Sequence, residues 1–163
     1  MKRIFSLITL LILVVSAKAE LTISDYCDPK YSAPSGIKAI TPLPDGESFA
    51  AISDDGNSIE KFSYKTGKKT GEIFNLATVK GELKIDDFEG FQVSDNGKWI
   101  LLWNNSERIY RYSFRAEYYV YDTFRSTLAR VSDKGPQRGA TMSHDGRYVA
   151  YERDNNIWIS NLD

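Results

Sequence analysis

The 163-residue chain carries 21 basic and 22 acidic residues, one cysteine and one histidine, and 13% of its residues are aromatic. A near-neutral chain without a basic block is a poor candidate for binding nucleic acid. One cysteine excludes an internal disulfide framework and a cysteine-based metal site, and one histidine excludes a histidine-based metal site. We therefore expect no metal ion and no other cofactor.

Residues 1–19 have the pattern of a secretory signal peptide. A short basic start precedes an apolar run of 12 residues, 4–15, and an Ala-x-Ala site that ends at Ala19. The run is shorter than the about 20 apolar residues that a membrane span needs. We predict cleavage after Ala19 and export to the periplasm or the medium, with an uncleaved membrane anchor as the alternative. Cleavage leaves 18 basic and 22 acidic residues, a net charge of −4.

Three similar segments recur along residues 20–163. Each has Asp or Asn before a glycine, a charged residue after it and then a β-rich apolar run. The glycines are Gly46, Gly97 and Gly146, which lie 51 and 49 residues apart. Asp-Gly and Asn-Gly favour positive φ angles, so each segment predicts a tight turn between two strands.

Strand-like segments surround these turns. They are residues 37–43, 58–64, 72–76, 89–94, 108–114, 118–122, 128–131, 138–143 and 156–161. Residues 70–80 are the best helix candidate, and a weak one. Four short antiparallel strands in about 50 residues describe a blade of a β-propeller.

The predicted fold class is therefore all-β. Residues 20–163 would form a partial propeller of about two and a half four-stranded blades, and a β-sandwich with coincidental turns is the alternative. Because propellers close with about 4–8 blades, we expect the chain to be the N-terminal part of a larger propeller.

The patterns that carry catalysis or metal binding are missing from the sequence. No Gly-x-Ser-x-Gly occurs. Asp54-Asp55-Gly56-Asn57 lacks the spacing of a calcium loop and predicts a hairpin turn, and His144 occupies a turn of the repeat. Asn104-Asn105-Ser106 fits a glycosylation sequon, a short pattern of little weight. No catalytic residue is predicted, so the chain alone should not hydrolyse a substrate.

Residues 110–124 hold seven aromatic side chains in fifteen positions. In an extended strand, Tyr110, Tyr112 and Phe114 would share one face, with Arg111 and Arg115 on the other. The two guanidinium groups could bind an anion or a carbonyl oxygen, or they could be ordinary charges of an edge strand.

The sequence around this stretch resembles the N-terminal propeller of dipeptidyl peptidase IV, in the prolyl oligopeptidase family. That family shows an aromatic residue, then Arg-His-Ser-aromatic-x-Ala, and a Tyr-x-x-Tyr-Asp-like ending. The matching segments here are 99–103 and 109–122, with Tyr112 in place of the His, and residues 145–159 resemble the next blade. Only residues 97–159 carry specific similarity.

The resemblance implies an exported serine exopeptidase that releases N-terminal dipeptides with Pro or Ala at the second position. An eight-bladed propeller would gate access to a C-terminal α/β-hydrolase domain carrying Ser, Asp and His. It would also supply a Glu pair for the free amino group of the peptide and one Arg for a backbone carbonyl. The matching arginine is Arg111; a neighbouring Glu such as Glu117 could fix its rotamer. Arg115 has no matched role and is expected to be scaffold.

The Glu pair and the triad are expected beyond Asp163, in a hydrolase domain absent from this chain. The implied partners are a peptide with a free N-terminus, the protein's own hydrolase domain and a second copy in a homodimer. One alternative is a non-enzymatic periplasmic propeller that binds a protein partner, as in TolB-like repeats. Another is a peptidase of the prolyl oligopeptidase clan with a different specificity.

Overall fold

The structure, a computed structural model, describes residues 22–28 and 40–162. The predicted signal peptide lies outside these ranges. The chain divides into two units, Met1–Gly36 and Ile37–Asp163. In the first unit the described residues form a short helix, α1 (Ile23–Cys27), and Cys27 is exposed and free. In neither described range is there a helix of the length and apolarity that crossing a membrane requires.

Residues 40–162 of the second unit form eleven β-strands that pair antiparallel. They are β1 (Ile40–Pro42), β2 (Ser48–Ile52), β3 (Ser58–Ser63), β4 (Lys69–Asn75), β5 (Gly90–Val93), β6 (Trp99–Arg108), β7 (Phe114–Asp122), β8 (Thr127–Arg130), β9 (Gln137–Met142), β10 (Tyr148–Arg153) and β11 (Asn156–Asn161). A single 3-10 turn, Leu76–Thr78, follows β4. The helix predicted over residues 70–80 is therefore wrong, because the stretch is mostly strand β4.

The strands are arranged as successive blades, which confirms the predicted all-β propeller architecture. Blade 1 is the sheet β1-β2-β3-β4 and blade 2 is β5-β6-β7-β8. Strands β9, β10 and β11 form blade 3, so three of its strands are described rather than the expected half. Strand β7 pairs with β8 along Tyr119–Asp122 and with β9 at Arg115 and Ala116, which joins blades 2 and 3 in one hydrogen-bonded sheet.

Blade 2 is covered on both faces. Ile100, Leu102 and Tyr121 pack into a core shared with blade 1, where Phe74 meets the Tyr121 ring edge-on at 4.8 Å. Leu101 and Val120 point the other way into a core shared with blade 3. Alternate side chains of one strand thus enter two cores, which explains why residues 99–103 are apolar without interruption.

The predicted turns of the repeat adopt the expected conformation and also contact each other. Gly97 and Gly146 have φ angles of 67° and 70°, a region that disfavours residues with a Cβ. The Asn96 side chain accepts from the Lys98 amide at 2.9 Å and donates to the Asp145 carbonyl at 3.2 Å. A Cβ on Gly146 would lie only 2.9 Å from Asn96 Nδ2. The turns therefore help to hold blades 2 and 3 together.

Replacing Gly90 by Ala should lower the free energy of unfolding by about 1–3 kcal/mol, the usual cost of overpacking a core. Gly90 is buried opposite Trp103, and an added Cβ would lie 2.1 Å from Trp103 Cζ2. Gly71→Ala in β4 is the matched control, since its Cβ would meet nothing within 4 Å, and it should change stability by less than about 0.5 kcal/mol. Urea unfolding followed by tryptophan fluorescence measures both; equal midpoints for the two variants would contradict the contact.

Candidate functional site

The candidate site is the loop at the tip of the hairpin formed by β6 and β7. This arginine loop consists of residues 109–113, and two hydrogen bonds close it: the amides of Ile109 and Tyr110 donate to the Ser113 carbonyl at 2.9 and 3.2 Å. Tyr110 and Tyr112 are 74% and 93% exposed. The loop thus presents two aromatic side chains to solvent on either side of Arg111.

Arg111 lies in this loop and not in a strand. The prediction of a strand over residues 108–114 is wrong, because β6 ends at Arg108 and β7 begins at Phe114. The predicted alternation of Tyr110 and Arg111 between two faces is lost with it. The Arg111 side chain is exposed, and no residue within 22–28 or 40–162 gives it a hydrogen bond or an ion pair. Its donors are therefore open to a ligand, and its role as a substrate contact stays a prediction.

Polar contacts from the segment before β5 support the stem of the hairpin. Asn104 Nδ2 donates to the Asp87 carboxylate at 3.1 Å, and the Ser106 amide donates to Glu89 Oε1 at 3.0 Å. Apart from the nearby acidic residues Asp86, Asp87 and Glu89, no sequence pattern indicates these contacts. Asn104 is 5% exposed. A buried and hydrogen-bonded amide nitrogen cannot accept a glycan. The Asn104 side chain therefore supports the hairpin and is not a glycosylation site.

Glu117 does not hold Arg111. Its carboxylate accepts from the Tyr119 hydroxyl at 2.6 Å and pairs with Arg130 at 3.3 Å. The Tyr119 hydrogen bond and the Arg130 charge lower the pKa of Glu117. Burial, together with the Glu117 carboxylate, raises the pKa of Tyr119 to about 12. Glu117 therefore belongs to a cross-strand network between β7 and β8.

Arg115 is held within the hairpin stem. Its Nη2 donates to Glu107 Oε2 at 2.9 Å, and the two residues face each other across β6 and β7. Arg115 therefore has an ion-pair partner within the hairpin, whereas Arg111 has none among the described residues.

An open cleft of about 530 Å³ borders the base of the arginine loop. Its lining includes Tyr112, Ser113 and Phe114, together with residues 139–141 of β9. Trp103 also lines the cleft, and the centroid of its ring lies 6.2 Å from that of Phe114 and 6.0 Å from that of Tyr118. A cleft lined by aromatic side chains suits an apolar side chain of a bound peptide.

The other candidate residues make contacts within the turns of the fold. His144 is exposed in its turn and pairs with Asp95 of the neighbouring turn. Asp55 accepts from the Ser53 hydroxyl at 2.6 Å and from the Asn57 amide at 3.1 Å, which confirms a hairpin turn at residues 54–57. Across the described part of the chain, no three His, Cys, Asp or Glu side chains come together as a metal site.

These blades define the chain as part of a β-propeller with a long, arginine-tipped hairpin in its second blade. Residues 94–163 match the family model of the dipeptidyl peptidase IV N-terminal region. A crystal structure of Porphyromonas gingivalis dipeptidyl peptidase 4 superposes with a TM-score of 0.78 at 31% identity, covering 87% of this chain and 20% of that one. Residues 94–163 are thus similar to the dipeptidyl peptidase IV N-terminal region, which confirms the predicted resemblance.

The matched proteins are much longer than this chain. A probable dipeptidyl-aminopeptidase B of Tuber melanosporum (strain Mel28) is 28% identical over 112 residues, which are 66% of this chain and 12% of that protein. TolB from Acinetobacter baumannii is 15% identical with a TM-score of 0.37, too little to argue for a TolB-like role. The chain therefore spans only a small part of the peptidases that it resembles.

The Tyr119 hydroxyl should make the protein less stable in strong alkali. A folded-state pKa near 12, above the usual value of about 10, means that the hydroxyl stabilises the fold below pH 10. That contribution is lost as the pH rises from 10 to 12. In Tyr119→Phe, thermal unfolding midpoints should fall less steeply over this range. Tyr64→Phe, which removes an exposed hydroxyl from blade 1, should keep the parent profile; identical profiles for parent and Tyr119→Phe would contradict the assignment.

Proposed function

We propose that the longer protein carrying this chain is an exported serine exopeptidase that releases N-terminal dipeptides with Pro or Ala at the second position. The blades described here would form part of the propeller that gates access to the hydrolase domain. Other parts of the longer protein would supply the Ser-Asp-His triad and the Glu pair for the amino group of the peptide. Support comes from the family match over residues 94–163 and from the similarity to the two peptidases.

The main support for the proposal is the exposed and unpaired guanidinium of Arg111 within the described residues. It lies inside the matched region, at the tip of a braced hairpin, with an exposed guanidinium that no described carboxylate neutralises. Arg115 of the same hairpin, in contrast, pairs with Glu107. Arg111 is instead suited to a partner that arrives from outside.

A backbone carbonyl of the peptide substrate is the partner proposed for Arg111. The guanidinium offers five N–H donors in a fixed fork. A hydrogen bond from a charged donor is roughly twice as strong as a neutral one. Such a contact positions the peptide without chemistry of its own, so its loss should affect substrate binding and orientation.

The cleft beside the loop supports a peptide as the ligand. Trp103, Phe114 and Tyr118 give it an apolar lining, to which Tyr112 of the arginine loop also contributes. An extended peptide bound by a carbonyl would bring neighbouring side chains within reach of such a lining. The arginine loop suits the polar backbone of a bound peptide, and the aromatic cleft suits one of its apolar side chains.

Arg111→Ala in the full-length protein should lower kcat/KM for a Gly-Pro reporter substrate by about tenfold or more, from the loss of roughly 1.5–3 kcal/mol of charged hydrogen bonding. Arg111→Lys keeps the charge but not the fork and should recover only part of the loss. Arg125→Ala is the matched control: Arg125 is an exposed arginine that follows β7, and it pairs with Asp122 at 3.6 Å. Initial rates over a range of substrate concentrations give kcat/KM for all three variants.

The result that would remove Arg111 from the site is an unchanged kcat/KM in a folded Arg111→Ala variant. A loss of equal size in Arg125→Ala would point instead to a general effect of charge on the propeller. Circular dichroism of each variant serves as the control that tests whether the fold is retained.

Purified residues 20–163 should not cleave the Gly-Pro reporter, because no catalytic group is proposed within them. They should also be poorly soluble, since β11 exposes Ile157 and Ile159 on an edge strand, at 81% and 69%. Enzyme assay and light scattering test the two expectations. Cleavage above the level of a mock purification would refute the proposed division of labour between propeller and hydrolase.

A further inference from the structure

A row of four charged residues crosses four adjacent strands near the base of the arginine loop. Glu107 on β6 faces Arg115 on β7, Arg115 faces Arg138 on β9, and Arg138 faces Glu152 on β10. The order of charges is negative, positive, positive, negative. This charge ladder crosses from blade 2 to blade 3 where β7 and β9 pair.

The centre of the ladder is electrostatically unfavourable on its own. Like charges directly opposite each other on neighbouring strands destabilise a sheet. Arg115 and Arg138 are such a pair, and each finds its acid only on the outer side, Glu107 at 2.9 Å and Glu152 at 3.4 Å. Both arginines are half exposed, so their ion pairs with Glu107 and Glu152 are expected to be weak. An anion between the two guanidinium groups would relieve the repulsion.

The space for an anion is present. Arg115 and Arg138 line the same open cleft of about 420 Å³, together with Arg108 and Arg153. Each guanidinium has five N–H donors, and Arg115 uses one of its terminal nitrogens for Glu107. Arg108 is exposed and has no ion-pair partner within the described ranges. Arg108 and Arg115 therefore bring to the cleft lining donors that no described protein group accepts.

Arg153 forms one fixed wall of the cleft. It is 8% exposed and its guanidinium lies 4.7 Å from the Trp158 ring centroid. Asp154 accepts from its Nε at 3.3 Å. A buried and stacked arginine keeps its position, so this side of the cleft is preorganised for a ligand.

We propose that this cleft is a binding site for a carboxylate group, held between Arg115 and Arg138 with help from Arg108. Four arginines face three carboxylates, those of Glu107, Glu152 and Asp154. The lining therefore has an excess of one positive charge. One carboxylate neutralises this charge, whereas a phosphate dianion carries one negative charge more than is needed. The source is an acidic side chain of a peptide or a small free carboxylate.

The site is independent of the proposed peptidase activity and is tested by binding alone. Isothermal titration uses the full-length protein at low salt, where exposed charges are least screened. The probes are acetyl-Gly-Glu-Gly-amide, its Gln counterpart and sodium acetate. Their blocked or missing amino groups keep them from reporting on a site that requires a free peptide N-terminus. The Glu peptide should bind at least about fivefold more tightly than the Gln peptide, as expected for a charged hydrogen-bonded pair.

Two substitutions at the ends of the same ion pair should act in opposite directions. Arg138→Gln should abolish the preference for the Glu peptide, whereas Glu152→Gln removes a competing acceptor and should tighten binding by about twofold or more. Arg125→Gln, the control for loss of one exposed arginine, should leave the affinity unchanged. Arg108→Gln is the second test of the cleft if Arg138→Gln fails to fold.

Acetate that binds with the same dependence on Arg138 and Glu152 supports the carboxylate site and identifies a free carboxylate as its source. Binding of the Glu peptide but not of acetate, with the same dependence, identifies an acidic side chain. The proposal is overturned if neither carboxylate probe binds, or if their binding is unaffected by Arg138→Gln and Arg108→Gln.

Discussion

The constraint on which the structure depends is the burial of both faces of blade 2. Ile100, Leu101 and Leu102 are completely buried although they follow each other in the chain. Alternate residues of a strand point to opposite faces, so such burial requires a packed sheet on each side. Blades 1 and 3 provide those sheets. Strands β6 and β7 consequently lie between two packed cores.

That burial also explains where the hairpin becomes available for binding. Strand β6 has ten residues and β2 has five, so the hairpin of blade 2 extends well past the two cores. The side chains of residues 105–108 are exposed, and hydrogen bonds to Asp87 and Glu89 replace apolar packing as support. A tip held in this way can keep its position while its side chains remain in water.

The sequence predicted the blades because their signals are local. Turn chemistry at Gly46, Gly97 and Gly146 and the apolar runs after them need only neighbouring residues to be recognised. The strand predicted over residues 108–114 failed because aromatic residues at alternate positions look the same in a β-strand and in an exposed loop. The charge ladder could not be predicted from the sequence either. It depends on the pairing of Arg115 with Arg138, and nothing local in the sequence specifies the register between strands of different blades.

The different surroundings of Arg111 and Arg115 follow from the same hairpin. The acidic residues that flank Arg111 in the sequence are Glu107 and Glu117, and both are engaged elsewhere: Glu107 with Arg115, and Glu117 with Tyr119 and Arg130. Cross-strand pairing directs those carboxylates along the stem, because opposite residues of an antiparallel pair lie within about 5.5 Å of each other. The arginine loop lies beyond the last such pair. The charge of the Arg111 guanidinium is therefore not compensated by these two acids, and its donors remain available to a ligand from outside the hairpin.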